Sequence, residues 1–231
     1  MANSTLFAIE NKPFSKFLKT IFDKIAATVA LAVFVPVSFV MAIAIYFKMG
    51  SPVIFTQVRA GKNGDLFTIY KFRTMTNDRD SEGYLLPDED RVTALGEFLR
   101  KSRLDEILQF WNILKGEMSF VGPRPTIPEQ VEDYDDFQKY RLLDTPGMTG
   151  WHQVNGNNEL TWEERICLDI WYLKNWSLWL DFVILIKTFA VITWGEFRNE
   201  KSLLEARKLE ATIRPKSYDI VNNRALIETL K

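Results

Sequence analysis

Asp105 and Glu106 stand side by side in the run Ser102-Arg103-Leu104-Asp105-Glu106, among apolar positions Leu104, Ile107, Leu108, Trp111 and Leu114 that repeat at helical spacing. That spacing predicts a helix over 104–114, with Asp105, Gln109 and Asn112 on its polar stripe. Two readings of the acidic pair are open. Ser102 followed three residues later by Asp105 matches a capping box, and acidic residues favour a helix N-terminus in any case. Against this, the chain supplies cations that would be wasted on a cap. Lys71 and Arg73 lie two apart on a predicted strand and so face one side, Arg100 and Arg103 precede the acidic pair, and Arg124 is fixed between Pro123 and Pro125. Two carboxylates among dispersed cations suit phosphoryl transfer, in which a carboxylate attacks phosphorus while a divalent ion and fixed cations offset negative charge.

Other chemistries find less support. His152 is the only histidine, which leaves little basis for a histidine-pair metal site or a Ser/His triad. No P-loop or dinucleotide fingerprint is present, and Gly61, Asn63 and Gly64 are accounted for by a turn. A formal net charge of -1 gives no global attraction to nucleic acid, which is not expected as a partner. Cys167 is the only cysteine, so no intrachain disulfide forms.

The elements that must position these residues are sharply segregated. The chain has 231 residues, 47% hydrophobic and 13% aromatic, yet 26% charged, which a polytopic transporter would not carry. One domain plus an anchor is expected. Positions 25–47 hold no charged residue, a run of membrane length and too long for the apolar region of a cleaved leader. Pro36 interrupts its middle, and each arm, at roughly 18 Å, is shorter than the ~30 Å hydrocarbon core. Lys12, Lys16, Lys19 and Lys24 precede the run and Lys48, Arg59 and Lys62 follow it, so charge bias picks no crossing orientation. A kinked spanning helix and a re-entrant hairpin both remain open on the residues.

Beyond the anchor, 53–58 and 66–75 read as two strands joined through Asn63-Gly64, 77–91 as a surface loop, and 93–100 as a helix. A proline- and glycine-punctuated middle surrounds a short helix near 128–142. The region 171–194 carries Trp171, Trp176, Trp179 and Trp194 but also Lys174, Asp181 and Lys187, which argues for helices at the headgroup layer, with a tryptophan-rich core helix as the alternative. A charged tail with a helical pattern over 203–212 follows. The expected organisation is 1–50 as N-terminal segment and membrane helix, 51–197 as catalytic domain, and 198–231 as tail.

The strings IFTQVRAG at 54–61, IYKFRTM at 69–75, SRLDEILQFWNILKGEMSFVGPRP at 102–125 and PGMTGWHQVNG at 146–156, in that order behind a proline-broken apolar segment, resemble the bacterial sugar transferase family of small monotopic phosphoglycosyl transferases. The resemblance covers about 16–194. It implies a helix-rich mixed α/β fold with a β-hairpin, interfacial amphipathic helices and a re-entrant helix broken at Pro36, on the cytoplasmic face of the bacterial inner membrane. It also implies Asp105 as a nucleophile that takes a sugar 1-phosphate from a UDP-sugar, releases UMP, and passes the group to polyprenyl phosphate. Asp105 and Glu106 would bind Mg²⁺, Lys71 and Arg100 would handle phosphate, Pro123, Arg124 and Pro125 would meet the nucleotide, and Asp169, in LDIWY, has no assigned role. Membrane lipids are implied partners, and homo-oligomerisation is left open. Two departures are visible: Val35 rather than serine precedes Pro36, and His152 replaces a small residue after Trp151. A membrane scaffold without activity and a lipid-phosphate hydrolase are the competing readings, and the sugar is not legible.

Overall fold

The computed structural model describes residues 9, 10 and 12–214 as a helix-rich mixed α/β assembly with two small sheets. Helix α1, Pro13–Met49, begins with proline at its first turn, where a missing N–H costs nothing, and stops at Gly50, whose φ of 71° suits glycine. Contrary to the expected break, it runs uninterrupted through Pro36. Proline withholds one donor, from the carbonyl of Ala32, and the bonds of the flanking turns keep the helix assigned across it. Most of α1 is apolar and outward-facing, with Phe14, Val33, Phe39 and Phe47 all exposed, while one stripe of Asp23, Ala27, Met41 and Ile45 is buried.

Strands β1 (Ile54–Ala60) and β2 (Leu66–Phe72) form the expected antiparallel hairpin, in register from Ile54 opposite Phe72 to Ala60 opposite Leu66. Asn63 and Gly64 take positive φ at the turn, which Asn tolerates and Gly, lacking a Cβ, adopts freely. A short helix α2, Asp88–Arg91, lies within the 77–91 loop, and α3 (Ala94–Lys101) follows, capped by the Thr93 side chain. The predicted 104–114 helix is in fact two pieces: a 3₁₀ segment, Leu104–Gln109, and then α4, Phe110–Lys115.

Strand β3, Ser119–Val121, pairs in parallel with β4, Gly147–Thr149, a contact that local sequence patterns do not announce. The two approach so closely that a Cβ at Gly147 would lie 2.1 Å from the nitrogen of Gly122, so no larger residue fits there. Between them α5, Pro128–Glu132, and a 3₁₀ turn over Gln138–Leu142 replace the single helix expected near 128–142. Helix α6, Trp162–Asn175, starts on a capping box of Thr161 and Glu164 and is the centre of the main core. Helix α7, Leu178–Trp194, is separate, and α8, Glu200–Ile213, packs on α6 through buried Leu203 and Ala206, with Arg198 and Arg207 both bonding Glu164.

The division between α6 and α7 settles the tryptophans. Trp171 stacks on Trp151 and Trp176 is buried, so these belong to the core, whereas Trp179 and Trp194 project outward from α7 beside exposed Phe182, Ile186 and Phe189. Two of the charges that interrupt the pattern point inward: Asp181 accepts bonds from Lys19, Tyr172 and Trp176, and Lys187 lies over the Trp151 ring. The end of the tail, 215–231, lies outside the described residues.

Candidate active site

Ser102 does not cap the acidic segment. It ends α3, and its hydroxyl donates to the carbonyls of Phe98 and Leu99. Arg103 then turns the chain in a left-handed conformation, φ 58°, a cost that a non-glycine residue bears only where its surroundings impose it. The 3₁₀ winding that follows, at about three residues per turn, carries Asp105, Glu106, Ile107 and Gln109 into the interior, packed against β2. With Ser102 turned away from Asp105, the capping-box explanation of the pair fails.

Lys71 on β2 reaches across to Glu106, Nζ to Oε1 at 2.5 Å, and Arg124 donates to the same oxygen from Nη2 at 3.3 Å. Burial alone would raise the Glu106 pKa, but Arg124 and Lys71 outweigh it and bring it to about 2. Lys71 is itself pulled down, first by burial and then by Arg124, against the attraction of Glu106. Asp105 moves the opposite way: burial and the neighbouring Glu106 charge raise its pKa, opposed by Lys71 and Arg103. Two adjacent carboxyls are thereby placed in different environments, one an anion held in ion pairs, the other more basic and, among the described residues, without a side-chain hydrogen bond or ion pair.

The loop carrying Arg124 is fixed from three sides. The carbonyl of Pro123 accepts from the Gly147 N–H at 2.9 Å, that of Pro125 from Arg59 at 3.2 Å, and Ala60 N–H donates to Thr126 at 2.8 Å. Below it, Arg141 donates from Nη2 to the carbonyl of Arg124 at 3.1 Å and from Nη1 to Thr126 and Tyr134 at 2.8 Å. Arg141 is in turn held by Asp169, Nε to Oδ2 at 2.8 Å, whose other oxygen meets His152 Nδ1 at 2.8 Å. Asp169 is fully buried; burial opposes its ionisation, but His152 and Arg141 keep its pKa below the ordinary value. Burial lowers His152 too, so near neutrality it donates to Asp169 as a neutral ring.

The fold therefore brings Asp105, Glu106, Lys71 and Arg124 together, with Pro123 and Pro125 buried on either side of Arg124. Arg73 lies one residue past the end of β2 and instead bonds the carbonyls of Met75, Met49 and Pro52, tying α1 to the hairpin. Arg100 bonds Thr74 at 3.0 Å, and Asp169 sits behind the Arg124 loop rather than beside the acidic pair. Sequence reasoning passed over Arg59, Arg141 and the structural use of His152. Arg59 lies in the IFTQVRAG string beside the hairpin turn, which was a usable signal; Arg141 and His152 are 28 and 17 residues from Asp169, and nothing local links them.

The site is a buried carboxylate pair under converging cations, set on an α/β body that carries a long, exposed apolar helix. The Bacterial sugar transferase family profile matches residues 14–195, and the chain belongs to that family. Among its relatives, "Uncharacterized sugar transferase EpsL" of Bacillus subtilis is 48% identical over 180 residues, covering 78% of this chain and 89% of the relative. "Undecaprenyl-phosphate galactose phosphotransferase" of Salmonella typhimurium is 38% identical over 210 residues, 81% of this chain and 43% of the relative. "UDP-N-acetylgalactosamine-undecaprenyl-phosphate N-acetylgalactosaminephosphotransferase" of Aeromonas hydrophila is 39% identical over 191 residues, 79% of this chain and 45% of the relative. The chain thus spans less than half the length of the latter two.

Proposed function

We propose that this protein transfers a sugar 1-phosphate from a UDP-sugar to polyprenyl phosphate at the cytoplasmic face of a bacterial membrane. The observation that carries the reading is the split between the two carboxyls: Glu106 is committed to Lys71 and Arg124, while Asp105 is buried, made more basic, and free to attack. In the first half-reaction an Asp105 oxygen forms a bond to the phosphorus next to the sugar, and the bond from that phosphorus to the UMP oxygen breaks. In the second, an oxygen of polyprenyl phosphate attacks the same phosphorus and the Asp105 carboxylate leaves. Lys71, Arg124, Arg59 and Arg103 provide the fixed positive field in which this charge moves. The names of the Salmonella and Aeromonas relatives support undecaprenyl phosphate as acceptor, and the latter supports a UDP-sugar donor.

Among the described residues no group of three or more His, Cys, Asp or Glu side chains is placed to hold a metal. Two adjacent carboxyls nevertheless fit Mg²⁺, which is commonly bound by one or two carboxylates together with substrate phosphates. Asp105 and Glu106 would hold it, and when bound it would neutralise charge on the donor diphosphate. Asp105 remains the attacking group and Lys71 the residue that orients Glu106.

The placement of α1 supports an anchor that stays with one face of the membrane rather than one that crosses it. Ala27 packs with Phe67, Ile69 and Ile113 on one side of Pro36; Met41 and Ile45 pack with Phe72, Leu99 and Ile107 on the other. These points are separated by roughly 27 Å of helix, yet both rest on one globular body, which a helix standing across the bilayer would pull apart.

Purified protein incubated with Mg²⁺, polyprenyl phosphate and a panel of UDP-sugars tests the reaction. Without lipid, at most one equivalent of UMP per protein is expected; sustained UMP release should require the lipid, and both should disappear in Asp105→Asn together with the trapped covalent sugar phosphate. UMP release in Asp105→Asn at near the parent rate refutes the aspartyl route, and transfer to water in place of lipid identifies a hydrolase.

A further inference from the structure

Two cavities lie on either side of Lys19, away from the carboxylate site. One, of about 240 Å³, is walled by Lys16, Lys19, Lys24, Lys62, Asp23 and Asp144 at the N-terminal end of α1. The other, of about 270 Å³, is an apolar groove between α1 and α7, walled by Leu18, Phe22, Phe120, Leu178, Phe182 and Leu185, with Asp181 at its edge. They share Lys19, Asp23 and Val121, so a basic chamber opens beside an oily slot.

The charges in the chamber do not cancel. Lys16 and Lys62 share the single carboxylate of Asp144, at 2.8 and 3.5 Å, and Lys19 is bound to Asp181 at 2.6 Å. Asp23 accepts from the Phe120 N–H at 3.4 Å, and among the described residues Lys24 forms no ion pair. Four lysines thus face three carboxylates, leaving one positive charge in excess. The chamber is smaller than the ~300–1,000 Å³ usual for a small-molecule site, too small for a nucleotide sugar but sufficient for a phosphate headgroup. Asp105, Glu106, Lys71 and Arg124 line neither cavity, so a phosphate held there is not in position to react.

We propose that this pair of cavities binds one anionic phospholipid, its singly charged phosphodiester headgroup among Lys16, Lys24 and Lys62 and an acyl chain in the groove between α1 and α7. The net charge of the headgroup matches the excess in the chamber, and the groove faces the same apolar surfaces of α1 and α7 that stand exposed, Phe22, Leu178 and Phe182 among them. The lipid fills the seam between the two helices. The inference rests on the reading of α1 as membrane-embedded, but not on the transfer chemistry.

The test uses the full chain, delipidated in detergent, with phosphatidylglycerol or phosphatidylcholine added and bound lipid counted by native mass spectrometry. One tightly held phosphatidylglycerol, preferred at least tenfold over phosphatidylcholine, is expected. Lys24→Gln/Lys62→Gln, at two exposed positions, should lower that preference by about fivefold for each lysine lost. Leu185→Trp should reduce binding of both lipids by filling the groove. Asp105→Asn, inactive in transfer, should bind phosphatidylglycerol as the parent does, which separates this inference from the proposed reaction. Equal retention of the two lipids by the parent, or a preference unmoved in the double lysine variant, overturns the proposal. One-for-one displacement of phosphatidylglycerol by polyprenyl phosphate also overturns it, and makes the site an acceptor store.

Discussion

Replacing Asp169 by asparagine should damage the active site from behind. Two donors converge on Asp169, Arg141 Nε and His152 Nδ1, each at 2.8 Å, and the amide offers one oxygen where the carboxylate offered two. His152 can answer by changing tautomer, because burial keeps it neutral. Arg141, 4% exposed and unable to lose its proton, cannot. Breaking a buried pair by removing one charge costs ~3–5 kcal/mol, a large part of a total stability of about 5–15 kcal/mol. At roughly 2–4 °C per kcal/mol for a chain of this size, the midpoint of thermal unfolding should fall by roughly 6–20 °C. The guanidinium also holds the carbonyl of Arg124 at 3.1 Å, so Arg124 should shift from Glu106, and a displacement of about 1 Å at a reacting site lowers kcat/KM by on the order of 100-fold. Thermal unfolding in detergent and UMP release against donor concentration measure the two effects. The double variant Asp169→Asn/Arg141→Gln removes the orphaned charge and should regain part of the stability while the rate stays low, since the Arg124 carbonyl has still lost its donor. A single variant that unfolds within about 2 °C of the parent and keeps its donor dependence refutes the argument.

The rate should fall on the acid side as pH drops through the raised pKa of Asp105, because only its carboxylate attacks; Glu106→Gln removes a neighbouring negative charge and frees Lys71 and Arg124, so the acid limb of kcat/KM should move to lower pH on whatever rate remains, and a limb that stays put contradicts the assignment. Arg124→Ala should weaken donor use tenfold or more while membrane attachment is kept, because a half-exposed guanidinium on Glu106 is lost from a loop still held by Pro123 and Pro125; unchanged donor dependence would return Arg124 to the solvated surface. Pro36→Ala should favour a straighter helix that crosses the bilayer in some molecules. With Cys167→Ser and single cysteines at Ser4 and Ser217, both outside the described residues, an impermeant thiol reagent should reach position 4 in intact cells only in the Pro36→Ala background; labelling of position 4 in the parent would establish a spanning helix.

What the sequence determined by itself is what short-range chemistry can state. A charge-free stretch over 25–47 is apolar enough to seek lipid whatever surrounds it, and α1 keeps that surface exposed. Asn63-Gly64 between two strand-like runs selects a hairpin, because those residues accept positive φ. Prolines on both sides of Arg124 restrict its loop before any tertiary contact forms. Tertiary structure decided the rest. Helical spacing over 104–114 could not show that Arg103 would turn left-handed, give Ser102 to α3 and wind Asp105 and Glu106 inward, since that choice depends on Lys71 from another element waiting for Glu106. The 171–194 pattern could not show which charges would find buried partners, and so hid the division of α6 from α7. The parallel pairing of β3 with β4 and the chain from His152 through Asp169 and Arg141 to Arg124 join residues with no periodic relation. Their energy comes from burial and from the pairing of charges, quantities defined only once distant segments have met.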